Sequence, residues 1–140
     1  MKTKLFFLFA FITFNCMAQE VPVKFNELPR VAQDFINKYF PDNFHHGIKE
    51  VESRKITYTV FMNDDTEIEF TEAGRWTEID GGNNKIPYTF IQKPILDYIK
   101  QNYPKQFITK IELEQTGYDV ELDNGIDLEF DASGLFIKVD

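Results

Sequence analysis

The residue types best placed to do chemistry in this chain are its carboxylates and one pair of histidines. His45 and His46 are adjacent. Side chains at i and i+1 diverge on a regular helix or strand, so the pair makes a poor chelate by itself, with Asp42 as one further ligand nearby. A flexible loop between helix and strand is the expectation there. Asp64, Asp65, Asp123, Asn124 and Asp131 resemble fragments of calcium loops, yet none supplies the alternating acidic pattern closed by a glutamate. They read as hairpin turns. A glycosidase-like carboxylate pair needs a concave pocket, which short meander strands do not offer. A Walker loop, a dinucleotide fingerprint, zinc spacing and a nucleophile elbow are all missing. No catalytic residue, metal site or cofactor is therefore expected, and the protein reads as a non-enzyme.

Composition narrows the class further. Of 140 residues 43% are hydrophobic and 16% aromatic, which argues for a packed globular chain rather than disorder. The net charge is −8, and two of the lysines, Lys2 and Lys4, lie at the extreme N-terminus, so the remainder is more acidic still. Nucleic acid is excluded as a partner, because neutralising phosphates needs a basic face. Lys2 and Lys4, an apolar run from Leu5 to Phe14 and the small Ala18 have the order of a secretion signal spanning residues 1–18. Its apolar part is too short to remain as a membrane span, and the mature chain contains no other candidate. A lipoprotein signal acylated at Cys16 is the alternative, although Phe14 and Asn15 fit it poorly. Cleavage after Ala18 removes the only cysteine and leaves a periplasmic or secreted protein without disulfides.

The chain also resembles itself. Ile48 to Asp80 aligns without a gap on Ile108 to Asp140, with eight of 33 positions identical, among them Tyr58/Tyr118, Val60/Val120, Glu69/Glu129, Phe70/Phe130 and Gly74/Gly134. Upstream, Phe35, Ile36, Phe40 and Pro41 fall on Tyr98, Ile99, Tyr103 and Pro104 in a register longer by three, which places the length difference in the loop at 42–47. The expected organisation is a lead-in at 19–27, a repeat at 28–80, a linker at 81–87 and a second repeat at 88–140. Leu28, Val31, Ala32, Phe35, Ile36, Tyr39 and Phe40 form one apolar helical stripe, started by Pro29 and stopped by Pro41. Ile91, Ile95, Tyr98, Ile99 and Tyr103 form the second. Period-two segments follow at 48–53, 56–62, 66–71 and 75–80, then at 108–114, 117–122, 126–131 and 135–139. The predicted fold is α+β, a tandem duplication of a helix packed on an antiparallel four-stranded meander sheet.

Alternation assigns the faces. Tyr58, Val60, Met62, Ile68 and Phe70, with Tyr118, Val120, Leu122, Ile126, Leu128 and Phe130, belong under the helices. The opposite parity carries Thr57, Thr59, Phe61, Glu67 and Glu69, then Asp119, Glu121, Asp127 and Glu129. This face is either a solvated surface that keeps the protein soluble or a docking surface for a protein or a cation. Simple alternation sends Trp76 and Phe136 to the same outer face as interface anchors, whereas a bulge after the glycine turn would bury them.

Leu28-Pro29, Phe35-Ile36, Tyr39-Phe40-Pro41, Ile68-Glu69-Phe70, Gly74, Trp76 and Asp80, followed by Ile99, Tyr103-Pro104, Tyr118-Asp119-Val120, Leu128-Glu129-Phe130, Gly134 and Asp140, resemble the PepSY-like, β-lactamase-inhibitor-like family of secreted Bacteroidetes proteins. The resemblance runs from about Phe25 to Asp140. It implies a tandem helix-plus-antiparallel-sheet fold similar to that of β-lactamase inhibitor proteins, a location in the periplasm or outside the cell, and no catalytic residues. PepSY-type domains are linked to protease inhibition, so a peptidase is one candidate target.

Two functions from different classes follow. The first is a binding or inhibitory module that meets another envelope or secreted protein through Thr57, Thr59, Phe61, Glu67, Glu69, Trp76, Asp119, Glu121, Asp127, Glu129 and Phe136. The alternative is a small-ligand or cation scavenger that uses the same acidic face.

Overall fold

The computed structural model describes residues 18–140. The signal segment and Cys16 therefore lie outside the described residues. Strand β1 (Gln19–Val23) and a 3-10 turn (Phe25–Glu27) precede helix α1 (Arg30–Tyr39), and four strands follow: β2 (Phe44–Glu52), β3 (Lys55–Met62), β4 (Glu67–Thr71) and β5 (Trp76–Asp80). Helix α2 (Lys93–Asn102) then leads into β6 (Ile108–Leu113), β7 (Gly117–Leu122), β8 (Asp127–Asp131) and β9 (Phe136–Val139).

The nine strands form one antiparallel sheet in chain order, β1 to β9. This overturns the expected pair of helix-on-four-strand units. The described residues are mostly β, with two ten-residue helices against a single continuous sheet. The join is the pairing of β5 with β6, where Glu78, Ile79 and Asp80 lie opposite Glu112, Ile111 and Lys110. Its partners are far apart in sequence and leave no local signal. The expected lead-in also contributes a strand, since β1 pairs along β2 from Gln19↔Val51 to Val23↔Gly47.

Inward parity explains the core. Val60, Ile68, Ile79, Ile111, Val120 and Leu128 stand opposite one another across six strands, each no more than 1% exposed. Both helices cover this face: Phe35 of α1 meets Phe70 edge-on at 5.9 Å, and Tyr98 of α2 meets Phe130 at 5.6 Å. Burial of these rings and aliphatics, each worth about 1.5–3 kcal/mol, supplies most of the driving force. Ala32, Ile36, Ile95 and Ile99 are the buried ridges of the helices. Each helix ends as its stripe does, with the N–H of Phe40 or Tyr103 bonded to the carbonyl of Ile36 or Ile99 and a proline next in sequence.

Among the described residues four bulges depart from strict alternation. They fall between Phe44 and His46 on β2, at Glu69/Phe70 between β4 and β5, between Ile108 and Lys110 on β6, and at Glu129/Phe130 between β8 and β9. Each inserts a residue and turns the side chains beyond it to the other face. The first also corrects one expectation. His45 and His46 belong to β2 rather than to a loop. Ile48 lies opposite Thr59, half-buried on the outer face, whereas Ile108 is fully buried opposite Leu122, so the gapless alignment of these two isoleucines does not match the pairing in the sheet.

Candidate functional site

The helices cover one face of the sheet, and the outward side chains of the other face form two rows. Ile48, Thr59, Glu69, Glu78, Glu112, Asp119, Glu129 and Lys138 stand opposite one another from β2 to β9. Five consecutive members, from β4 to β8, are carboxylates. The adjacent row runs His46, Phe61, Glu67, Asp80, Lys110, Glu121 and Asp127, and the N–H of Asp140 bonds to the carbonyl of Asp127 at its end. Side chains directly opposite have Cβ atoms about 4.5–5.5 Å apart, and like charges so placed destabilise the sheet.

The electrostatics record that crowding. Partial burial first, then the neighbouring Glu78 carboxylate, pushes Glu69 above its ordinary range. Burial, Glu78 and Glu114 do the same to Glu112, and burial, Glu129 and Glu114 to Asp119. Two lysines offset part of the repulsion. Lys110 Nζ lies 3.1 Å from Glu78 Oε1, while Lys138 Nζ lies 3.4 Å from Glu129 and 2.9 Å from Asp140. Burial pulls Lys110 down, but its hydrogen bond to Glu78 and the charges of Glu78, Asp80 and Glu112 prevail and hold it above the usual lysine value.

A cavity of about 200 Å³ opens on this face between Lys110, Glu112, Asp119, Glu121, Asp127 and Asp140. Carboxylate oxygens of Glu112, Glu114 and Asp119 lie within 4.8 Å of one another, as do those of Asp119, Glu129 and Asp140. Calcium binds oxygen at about 2.3–2.6 Å, so ligands on opposite sides of one ion are about 5 Å apart. Either triad has suitable dimensions. A larger groove of about 750 Å³ runs along the other end of the face, lined in part by Lys55, Thr57, Glu69, Glu78 and Glu112.

Of the expected site residues, Thr57, Thr59, Phe61, Glu67, Glu69, Asp119, Glu121, Asp127 and Glu129 share this outer face. Trp76 and Phe136 do not. The bulges beside them place Trp76 opposite inward Phe70 and Phe136 opposite inward Phe130. Trp76 packs half-buried 5.7 Å from Phe90, and Phe136 stacks on Tyr98 at 4.2 Å. Glu78, Asp80, Lys110, Glu112 and Asp140 were missed, although alternation about Ile79 and Ile111 marks most of them as outward.

A continuous antiparallel meander with helices on one face and a bare acidic face on the other defines a class of sheet proteins built around an open surface rather than a deep pocket. The chain belongs to the PepSY-like family: the family model described as "putative beta-lactamase-inhibitor-like, PepSY-like" matches residues 56–138. Among solved structures it is similar to a "putative calcium-regulated periplasmic protein" of Bacteroides thetaiotaomicron, at 30% identity and TM-score 0.83, over 86% of this chain and 96% of that one. Two "putative periplasmic" proteins of Bacteroides vulgatus match at 32% and 34% identity with TM-scores of 0.81 and 0.82, over 86% and 87% of this chain and 96% and 99% of theirs. No curated protein matches. Among the described residues no helix is long and apolar enough to cross a membrane.

Proposed function

We propose that this protein is a non-catalytic periplasmic binding module that recognises another envelope or secreted protein through the outer face of its sheet, and that the partner presents a basic surface. The carboxylate row Glu69–Glu78–Glu112–Asp119–Glu129 carries the reading. A sheet selected for stability alone would alternate charges across its strands. Five like charges in line cost stability, and such departures mark functional surfaces. Opposing positive charge would relieve the repulsion and speed encounter. The test compares native protein with the triple variant Glu69→Gln, Asp119→Asn, Glu129→Gln in affinity capture from periplasm at low and high salt. Proteins held by the native chain at low salt should be lost from the variant, which should stay folded and melt at a higher temperature. Equal capture by a folded variant removes the face from consideration.

A second reading, calcium binding, is favoured by the two carboxylate triads and by the likeness to a protein described as calcium-regulated. Asp119 belongs to both triads, and its oxygens together with those of Glu129 and Asp140 would hold the ion. Calcium at a hundred times its dissociation constant should stabilise the fold by about 2.7 kcal/mol. That shift should vanish in Asp119→Asn and should not be reproduced by magnesium, whose octahedral preference a loose surface triad does not meet. A melting temperature indifferent to calcium rejects this reading and leaves the first intact.

A further inference from the structure

The first bulge has a chemical result at the opposite end of the outer face from the carboxylate triads. Between Phe44↔Met62 and His46↔Phe61, β2 advances two residues while β3 advances one. His45 is therefore the extra residue. In a regular strand its side chain and that of His46 would point to opposite faces, but the bulge turns both the same way. The two Nδ1 atoms come within 2.7 Å of each other, with ring planes 75° apart. His46 is held in place by stacking on Phe61, centroid to centroid at 4.5 Å and 9° from parallel. Both histidines are exposed, so an ion reaches them without any opening of the fold.

We propose that His45 and His46 form a two-nitrogen clamp for a divalent transition-metal ion, with copper(II) preferred. Two nitrogens bound side by side at about 2.0 Å in a square-planar site lie about 2.8 Å apart, so the pair already has the spacing the ion needs, and rotation of the exposed rings converges their lone pairs on it. The 2.7 Å contact brings the two Nδ1 atoms into hydrogen-bond range. With the ring protons carried on Nε2, both Nδ1 lone pairs are free to bind the ion. Imidazole suits copper, nickel and zinc, with copper at the top of the affinity order, whereas calcium and magnesium prefer oxygen. Water fills the remaining positions. The clamp is thus chemically separate from the carboxylate rows, and Phe61 is a positioning residue for it.

The experiment is a titration of the purified protein with copper(II), followed by calorimetry and by electron paramagnetic resonance. The expected result is one equivalent bound with hyperfine structure from two nitrogens. Affinity should fall at least tenfold in His45→Ala and in His46→Ala separately, and by a smaller factor in Phe61→Leu, while Asp119→Asn binds as the native chain does. Both histidines are exposed, so their alanine variants should keep the native circular dichroism. Native-like copper affinity in either folded histidine variant overturns the proposal, as does a spectrum showing a single nitrogen ligand. Neither outcome bears on the carboxylate face.

Discussion

Lys110 on β6 reaches diagonally across the β5–β6 join to place its Nζ 3.1 Å from Oε1 of Glu78, each side chain less than one-third exposed. The ammonium sits where two acidic rows meet, with Asp80 directly opposite it on one side and Glu121 on the other. Lys110→Met keeps much of the stem but removes the charge. It should cost about 1–2 kcal/mol, from the lost pair and the unshielded carboxylates. Urea unfolding at low and high salt checks this, because screening should shrink the deficit. A deficit independent of salt would assign the contribution of Lys110 to packing instead.

The raised carboxylates set the direction of the pH response. Glu69, Glu112 and Asp119 hold protons more tightly folded than unfolded, through burial and their acidic neighbours. The folded state therefore binds more protons across the interval above their ordinary values of 4.5, 4.5 and 3.8, and stability falls as pH rises through it. Lowering the pH from 7 towards about 5 should raise the urea midpoint. The triple variant lacking the charges of Glu69, Asp119 and Glu129 should show a flatter profile. A native midpoint that drops steadily over the same range contradicts the arrangement.

Trp76 reports on the bulge between β4 and β5. Half-buried against Phe90 and Tyr118, its indole should emit towards the blue and resist iodide quenching. Trp76→Ala should destabilise the fold by about 2–3 kcal/mol, below the usual range for a fully buried tryptophan. Emission at the wavelength of free tryptophan would return the residue to the outer face.

Gly74 fixes the distance between the β4–β5 turn and the start of α1. Its φ is +87°, and a Cβ there would lie 2.8 Å from the backbone nitrogen of Ala32 and 2.9 Å from Cβ of Pro29. Gly74→Ala adds backbone strain of about 1–3 kcal/mol to a clash that no side-chain rotation relieves. The melting temperature should fall clearly, and hydrogen exchange should show Gln33, whose N–H bonds to the Pro29 carbonyl at the start of α1, losing protection. Unchanged protection there would mean that the turn moves freely away from the helix.

Local pattern revealed both helices, eight of the nine strands and most of the faces, but not β1. Val60, Ile68, Val120 and Leu128 read as inward because the alternation around them is unbroken. Most of the failures trace to two physical causes. Four inserted residues reverse parity without changing composition, and three of them misplaced Trp76 and Phe136 and made His45 and His46 look divergent. The β5–β6 pairing joins segments separated by residues 81–107, so neither the single sheet nor the five-membered carboxylate row was visible in either half alone. Ile48 and Ile108 illustrate a third difficulty, in which identity between two segments suggested a correspondence that the strand pairing does not follow.

The order of the sheet has a kinetic consequence. Because each strand lies beside its predecessor in the chain, most of the assembly advances by closing short loops, each at small entropic expense. Such local connectivity favours rapid acquisition of structure for a β protein. The β1–β2 and β5–β6 junctions are the exceptions, since each must capture a long intervening stretch that carries a helix, and at the second the two hairpin-rich ends of the molecule should wait for each other.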